Sequence, residues 1–406
     1  MNFLDENGLG RLWAQIILKL NSKVPDGGTT GQVLKKTETG TEWADASFKP
    51  EGKSCLTFSS PNSFTLAVED ATKHWNGTLE YFSSNRTWTT WDGTTTLSSV
   101  DNDGEYVLYL RGTGNTVITG NDQNYRWILT GSNIACIGNI ENLLDYATVE
   151  SGAHPTMANY CYRSMFQDCT SLTQAPALPA TTLTNGCYNS MFYGCTSLAQ
   201  APALPATTMA AYCYSFMFQD CTSLTQAPAL RATTLADYCY SYMFYGCTSL
   251  TQAPALPATT LVDYCYSNMF YGCTSLPQAP ALPATILAEG CYNGMFWGCT
   301  ALKLSSTQTD EYTQEYRIPS SGTGTTATDA LTNMFASTGG TFTGTPEINT
   351  TYYLSSDNMI VRDTEIATLN GYVGSMIDGK VPTAITNAKI DEICGTTILY
   401  AEDVAL

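Results

Sequence analysis

Cys161-Tyr-Arg-Ser-Met-Phe-Gln-Asp-Cys-Thr-Ser-Leu-Thr-Gln-Ala-Pro-Ala-Leu-Pro-Ala-Thr-Thr-Leu-Thr-Asn-Gly186 starts again at Cys187, Cys213, Cys239, Cys265 and Cys291, giving six copies of a 26-residue unit. A period of this length belongs to chains whose repeats bury their apolar faces against one another. The expected architecture is a stacked solenoid, which offers a long surface and encloses no deep pocket. Binding is expected of it before catalysis.

Turning about 100° per residue brings the first Cys, Tyr, Met, Phe, the second Cys and Leu of each copy into an arc of about 140°. The positions that vary between copies, the third, fourth, seventh and eighth, fall outside it. This predicts a helix over the Cys161–Leu172 stretch with a constant buried face and a drifting exposed one. The next residues, Leu-Thr-Gln-Ala-Pro, predict a parallel strand of only two or three residues, because proline lacks the N–H a ladder needs. Gln174, Gln200, Gln226, Gln252 and Gln278 would then form a row, either a structural amide ladder or a ligand-contacting one.

Twelve of the fifteen cysteines occupy fixed repeat positions; Cys55, Cys136 and Cys394 do not. On a helix the two in one copy stand about 12 Å apart, beyond the ~7 Å a disulfide spans. They read as reduced, buried, small apolar side chains, with bridges between neighbouring copies as the alternative. The variable positions include Tyr193, Phe216, Tyr242, Tyr245, Tyr271 and Trp297, and Tyr160, Tyr212, Tyr238 and Tyr264 extend the strip. Such a line of aromatics reads as a receptor or glycan contact surface, or as packing between successive helices or protomers.

Six segments follow from the pattern. Residues 1–49 hold an amphipathic helix over 6–22, with Leu9, Leu12, Trp13, Ile16, Ile17 and Leu20 on one stripe, then two short strands; this reads as a docking or oligomerisation segment. Residues 50–132 alternate in seven short runs (55–58, 64–68, 78–82, 87–91, 106–110, 116–119 and 125–129), which predicts a β-sandwich. Its Trp75, Trp88, Trp91 and Trp127 are either core residues or sugar-stacking ones. Residues 133–160 are expected to cap the solenoid and 161–302 to form its six repeats. Residues 303–350 read as an insertion and a degenerate capping repeat at Asn333-Met-Phe335, since Met295-Phe296 reappears one period plus thirteen residues later. The segment 351–406 carries strand-like runs at 352–354 and 359–361 and a helix-like stretch at 384–393.

The net charge of −18 opposes binding to a phosphate backbone, so nucleic acid is not an expected partner. No run reaches the ~18 apolar residues of a membrane span, and the start Met-Asn-Phe-Leu-Asp-Glu-Asn-Gly does not read as a secretory signal. His74 and His154 are the only histidines, too few for a triad or a metal cluster. Asp101-Asn-Asp-Gly-Glu105 reads as a hairpin turn, since it lacks the closing ligands of a calcium loop. A paired-carboxylate glycosidase would have to draw on Glu69, Asp70, Glu80 and Asp92, whose spacing does not favour it. No catalytic, metal or cofactor residue is expected.

Two resemblances bear on function. The Leu-Trp helix, then Val24-Pro25 with Gly-Gly-Thr-Thr-Gly-Gln-Val-Leu34 and Glu42-Trp-Ala44, resembles the N-terminal attachment segment of bacteriophage tail fibres. Phe166-Gln-Asp-Cys169-Thr-Ser-Leu172 with Leu178-Pro179 resembles the repeat of BspA-like leucine-rich-repeat surface proteins of bacteria, although the constant Met, the second Cys and the longer period depart from it. Together they imply an α/β leucine-rich-repeat solenoid with an N-terminal amphipathic helix and an all-β sandwich domain. The implied protein is a tail fibre that recognises a glycan or protein of the host surface, joins other phage tail proteins and forms a homo-oligomer, a trimer by the habit of such fibres. It would be assembled in the bacterial cytoplasm, carried in the virion and released by lysis. A bacterial cell-surface adhesin is the alternative, and a glycan-degrading tail enzyme a third.

Overall fold

The computed structural model describes residues 32–37, 40–45, 48–50, 54–120 and 125–355, the first two stretches by backbone alone. The docking helix with Leu9, Leu12, Trp13, Ile16, Ile17 and Leu20, and the elements expected over 359–361 and 384–393, lie outside the described residues. The chain divides into two compact units, 1–224 and 225–406. Strands and turns dominate both, in several open sheets.

In the first unit β1 (Gln32–Thr37) and β2 (Gly40–Asp45) form an antiparallel hairpin. Two further sheets follow. One has β4 (Thr65–Val68) between β7 (Leu97–Ser98) and β10 (Trp127–Thr130). The larger runs through β3 (Leu56–Ser60), β5 (Thr78–Phe82), β6 (Trp88–Trp91), β8 (Val100–Asn102), β9 (Glu105–Thr113), β11 (Ile134–Ile137) and β12 (Leu172–Gln174). Their side chains meet where Trp127 of the small sheet lies 6.4 Å from Phe58 and 5.7 Å from Trp91 of the large one. The expected calcium-loop lookalike is a two-residue hairpin, with Asp103 and Gly104 both at positive φ, as primed turns require. The strand expected at 116–119 is absent; the N–H groups of Ile118 and Thr119 instead donate to the Cys161 carbonyl at 2.9 and 3.1 Å.

The single α-helix among the described residues, α1 (Asn142–Glu150), sits against β9 with Leu143 and Leu144 fully buried. A Cβ on Gly112 of β9 would collide with the Leu143 carbonyl. Asn115 fixes that approach, its Nδ2 donating to the carbonyls of Thr78 at 2.8 Å and Leu143 at 2.9 Å. The repeats then share the β core: Phe166 of the first copy packs edge-on against Phe58 and Trp127, and β12 pairs in parallel with β11.

The helix expected over Cys161–Leu172 does not form. Alternate N–H groups donate backward by three residues, as in Met165 to Tyr162 (3.2 Å) and Gln167 to Ser164 (2.9 Å). The others donate to the next copy, 25 residues on: Tyr162 to Cys187 (2.8 Å), Ser164 to Asn189 (2.9 Å), Phe166 to Met191 (2.9 Å) and Asp168 to Tyr193 (2.7 Å). The result is a ribbon of consecutive turns in which half of the donors join one copy to the next. Every fourth residue is left-handed: Tyr160, Ser164 and Asp168 lie at φ 57°, 54° and 58°. The true period is therefore four, and Cys161, Met165 and Cys169, with Tyr162 and Phe166, return to the same buried side at that spacing. The wheel grouped the right residues because 100° and 90° per residue diverge by about 80° between Cys161 and Cys169, still inside the arc of about 140°. The short strand appears as β12 in the first copy and as a single bridge between Gln226 and Gln252 in the second unit.

Identical side chains stack along the copies. In the first unit Tyr162, Tyr188 and Tyr214 have ring centroids 5.5 and 5.8 Å apart, and Phe166, Phe192 and Phe218 are 5.7 and 5.6 Å apart, all within 8° of parallel. In the second unit Tyr240, Tyr266 and Tyr292 repeat this, as do Phe244, Phe270 and Phe296. The stacking continues past the sixth copy: Phe335 stacks on Phe296, and Asp329, Asn333 and Ser337 keep the left-handed spacing. Beyond it β16 (Thr351–Ser355) lies between β13 (Lys303–Ser305) and β14 (Tyr312–Arg317), with β15 (Gly339–Gly340) at the edge.

Candidate functional site

Four-residue periodicity sorts the repeat into two sides. One side holds the recurring Cys, Tyr, Met, Phe, Cys and Leu, all buried. The other carries the residue before the first Cys and the third, fourth, seventh and eighth positions, and the left-handed sites recur there. At the eighth position they hold only Asp or Gly, as Asp168, Gly194, Asp220, Gly246, Gly272 and Gly298, residues that adopt this conformation readily. Elsewhere they hold Ser164, Ser190, Asn268 or glycine in half of the cases and large aromatics in the other half, Tyr160, Tyr212 and Phe216 at φ 57–60° among them. Holding a bulky residue there costs on the order of 1–3 kcal/mol, and such strain concentrates at ligand sites.

In the first unit this side opens into a groove of about 570 Å³. Tyr160, Tyr193, Tyr212 and Phe216 supply its aromatic faces, and Arg163, Gln167, Asn189, Ser190 and Gln219 its polar groups. Two of the candidate recognition residues, Tyr193 and Phe216, thus lie in the groove, both half-buried. Arg163 holds its guanidinium 5.5 Å from the Tyr160 ring centre. It is the groove's only charged lining residue.

The other four candidates form a separate stack in the second unit. Tyr245 lies 4.6 Å from Tyr271 in near-parallel stacking, Trp297 is 5.4 Å beyond, and Tyr242 leans on Tyr245 at 5.9 Å. All four are half-buried, so lateral packing between copies accounts for one face of each ring. Beside them Tyr238 stacks on Tyr264 at 4.9 Å. The Tyr264 hydroxyl donates to Glu289 at 2.8 Å, and that bond holds its phenol up to about 12.

The β region uses its aromatic and acidic residues structurally. Trp75, Trp91 and Trp127 are buried, and Arg111 lies over the Trp88 ring. Glu80 pairs with Arg111, and Glu69 takes two bonds from Arg126, which also reaches Asp168 of the first copy. Asp92 caps a turn through Thr94 and Thr95, and the Thr94 hydroxyl foremost among these donors lowers its pKa. Among the described residues no group of His, Cys, Asp and Glu is arranged to hold a metal ion.

The repeat cysteines are buried thiols, none bridged among the described residues. The second Cys donates to a carbonyl 29 residues back: Cys195 to Phe166, Cys221 to Phe192, Cys273 to Phe244 and Cys299 to Phe270, at 3.0–3.1 Å. Of the glutamine row, Gln174, Gln200, Gln226 and Gln252 are exposed and Gln278 is buried.

Sequence reasoning missed Arg163, Asn189 and Gln219 as partners in one groove. The signal was partly available, since all three stand at variable positions, but they come from three different copies and meet only when those copies stack. Comparison with protein-family models, with curated proteins and with solved structures gives no match.

Proposed function

We propose that the chain is a phage tail-fibre protein that adheres to the bacterial surface through a leucine-rich-repeat type of solenoid, each copy forming one coil. The observation that carries this reading is the groove: Arg163, Asn189, Ser190, Tyr193, Phe216 and Gln219, which line it, stand at positions that vary between copies, while the recurring Cys, Tyr, Met, Phe and Leu are buried. An invariant frame with a varied, aromatic-rich outer side suits recognition. Repeated sites on an oligomeric fibre would add avidity to weak single contacts. The tail-fibre-like segment before Asp45 ties the recognition surface to a virion.

A cell-surface adhesin is the second reading, favoured by the Phe166-x-x-Cys169-x-x-Leu172 repeat. Labelled full-length chain incubated with a panel of bacterial strains tests both. Saturable adsorption that blocks infection by phage carrying this chain supports the tail fibre. Adsorption without any effect on infection supports the adhesin, and release of reducing sugars would point to an enzyme instead. Adsorption to no strain would sink the recognition reading altogether.

A further inference from the structure

The ribbon ends with donors to spare. In the first copy the N–H groups of Tyr160, Tyr162, Ser164, Phe166 and Asp168 all donate to the second copy. In the sixth, those of Gly290, Tyr292, Gly294, Phe296 and Gly298 donate in the same way to residues 328–336. The last turn of the stack carries the matching row at Asp329, Leu331, Asn333, Phe335 and Ser337. Among the described residues only two of its N–H groups have a partner, Phe335 on the Gly344 carbonyl at 2.8 Å and Asn333 on Thr345 Oγ1 at 2.8 Å. Leu331 is 6% exposed, and a buried N–H without a partner is rare and costly. A depression of about 310 Å³ lies at this edge, where Asp329, Leu331, Thr345, Pro346, Glu347 and Ile348 are among its lining residues.

We infer that this open edge is a docking site for an extended, basic peptide segment of a partner protein. An unpaired donor row is a template for a further backbone. Added strands are held by main-chain bonds, with pockets for alternate side chains. Gly344 shows the mode, since it pairs antiparallel with Phe335, each N–H donating to the other's carbonyl. Charge selects the segment. Asp329 and Glu347, both exposed, are the depression's only charged lining residues, and Leu331 and Ile348 beside them suit an apolar side chain. A second copy stacked end to end would not fill the edge: its first-copy carbonyls at Cys161, Arg163 and Met165 already accept from Ile118, Thr119 and Trp127. The inference does not depend on the recognition reading.

Hydrogen exchange at the Leu331 amide of the full chain tests it, alone and with the peptide Lys-Thr-Val-Thr-Lys or its acidic counterpart Glu-Thr-Val-Thr-Glu. In the free chain Leu331 should exchange at least about tenfold faster than Tyr292, whose N–H donates to Ala330 at 2.9 Å. The lysine peptide should slow Leu331 by about tenfold, and the glutamate peptide should leave it unchanged. In the double variant Asp329→Asn, Glu347→Gln the same slowing should need about tenfold more lysine peptide. Asparagine keeps the left-handed backbone of Asp329, at φ 54°, and an acceptor for the Thr332 hydroxyl. Four results overturn the site. Leu331 protected in the free chain would mean that this chain's own residues 356–406 cover the edge. No slowing by the lysine peptide, or equal slowing by the glutamate one, removes the basic partner. An unchanged peptide requirement in the double variant reduces the effect to attraction by the net charge of −18.

Discussion

Phe335 stacks on Phe296 with ring centroids 5.5 Å apart and planes 6° from parallel, although thirteen more residues separate them than separate Phe270 from Phe296. The insertion is looped out and the column continues, so packing of one copy on the next outweighs chain spacing. Phe335→Ala removes the terminal ring at a cost of about 3–5 kcal/mol. Because repeats contact only their neighbours, hydrogen exchange should accelerate first at Phe296, whose N–H donates to Met334 at 2.9 Å. Equal acceleration at Phe166 in the first unit would contradict local stacking.

Cys195→Ala should cost only about 1 kcal/mol. The Phe166 carbonyl that accepts the thiol also accepts the Cys169 N–H at 3.1 Å, so the acceptor keeps a partner after truncation. Cys195→Leu should cost about 1–3 kcal/mol by overpacking a fully buried site. Urea titration followed by tyrosine fluorescence compares the two, and a reversed order would argue against a close-packed thiol column.

The repeat should loosen in alkali. Burial pushes the thiols of Cys169, Cys187 and Cys239 up to about 12 from 9.0, and burial also raises the phenols of Tyr162 and Tyr188. The fold thus favours the neutral forms. Their stabilising effect is fully present below about pH 9 and is lost as pH rises toward 12. Thermal scans from pH 7 to 11 should show the melting point falling above pH 9. At pH 8 these thiols should resist alkylation in the folded chain and react after denaturation.

Left-handed sites predict opposite outcomes for two substitutions at the same repeat position. Gly272→Val, at φ 71°, should destabilise by about 1–2 kcal/mol. Asp220→Gly, at φ 57°, should be within a few tenths of neutral, because glycine holds that backbone without strain. Matched melting curves check the pair; equal effects would mean that φ does not govern the position.

Much of the buried face is legible in the sequence. Cys161, Tyr162, Met165, Phe166, Cys169 and Leu172, grouped by the repeat pattern, are all buried. The backbone that carries them was not legible. A helix would bond its N–H groups locally, whereas here Tyr162, Ser164, Phe166 and Asp168 donate to the following copy. No window shorter than the repeat contains both partners of those bonds. The Asp-or-Gly alternation at the eighth position was the one local sign of left-handed backbone.

The sequence by itself determined the period, the identity of the buried side chains and the place of the insertion, because these depend on which residue types recur and at what interval. Only the tertiary structure decided that the copies are ribbons of turns, that Tyr193 and Phe216 join Arg163 and Asn189 in one groove, and that Tyr242, Tyr245, Tyr271 and Trp297 stack elsewhere. The physical reason is that every second donor of the ribbon is satisfied 25 residues away. Local propensity cannot weigh a bond whose acceptor arrives only when the next copy stacks.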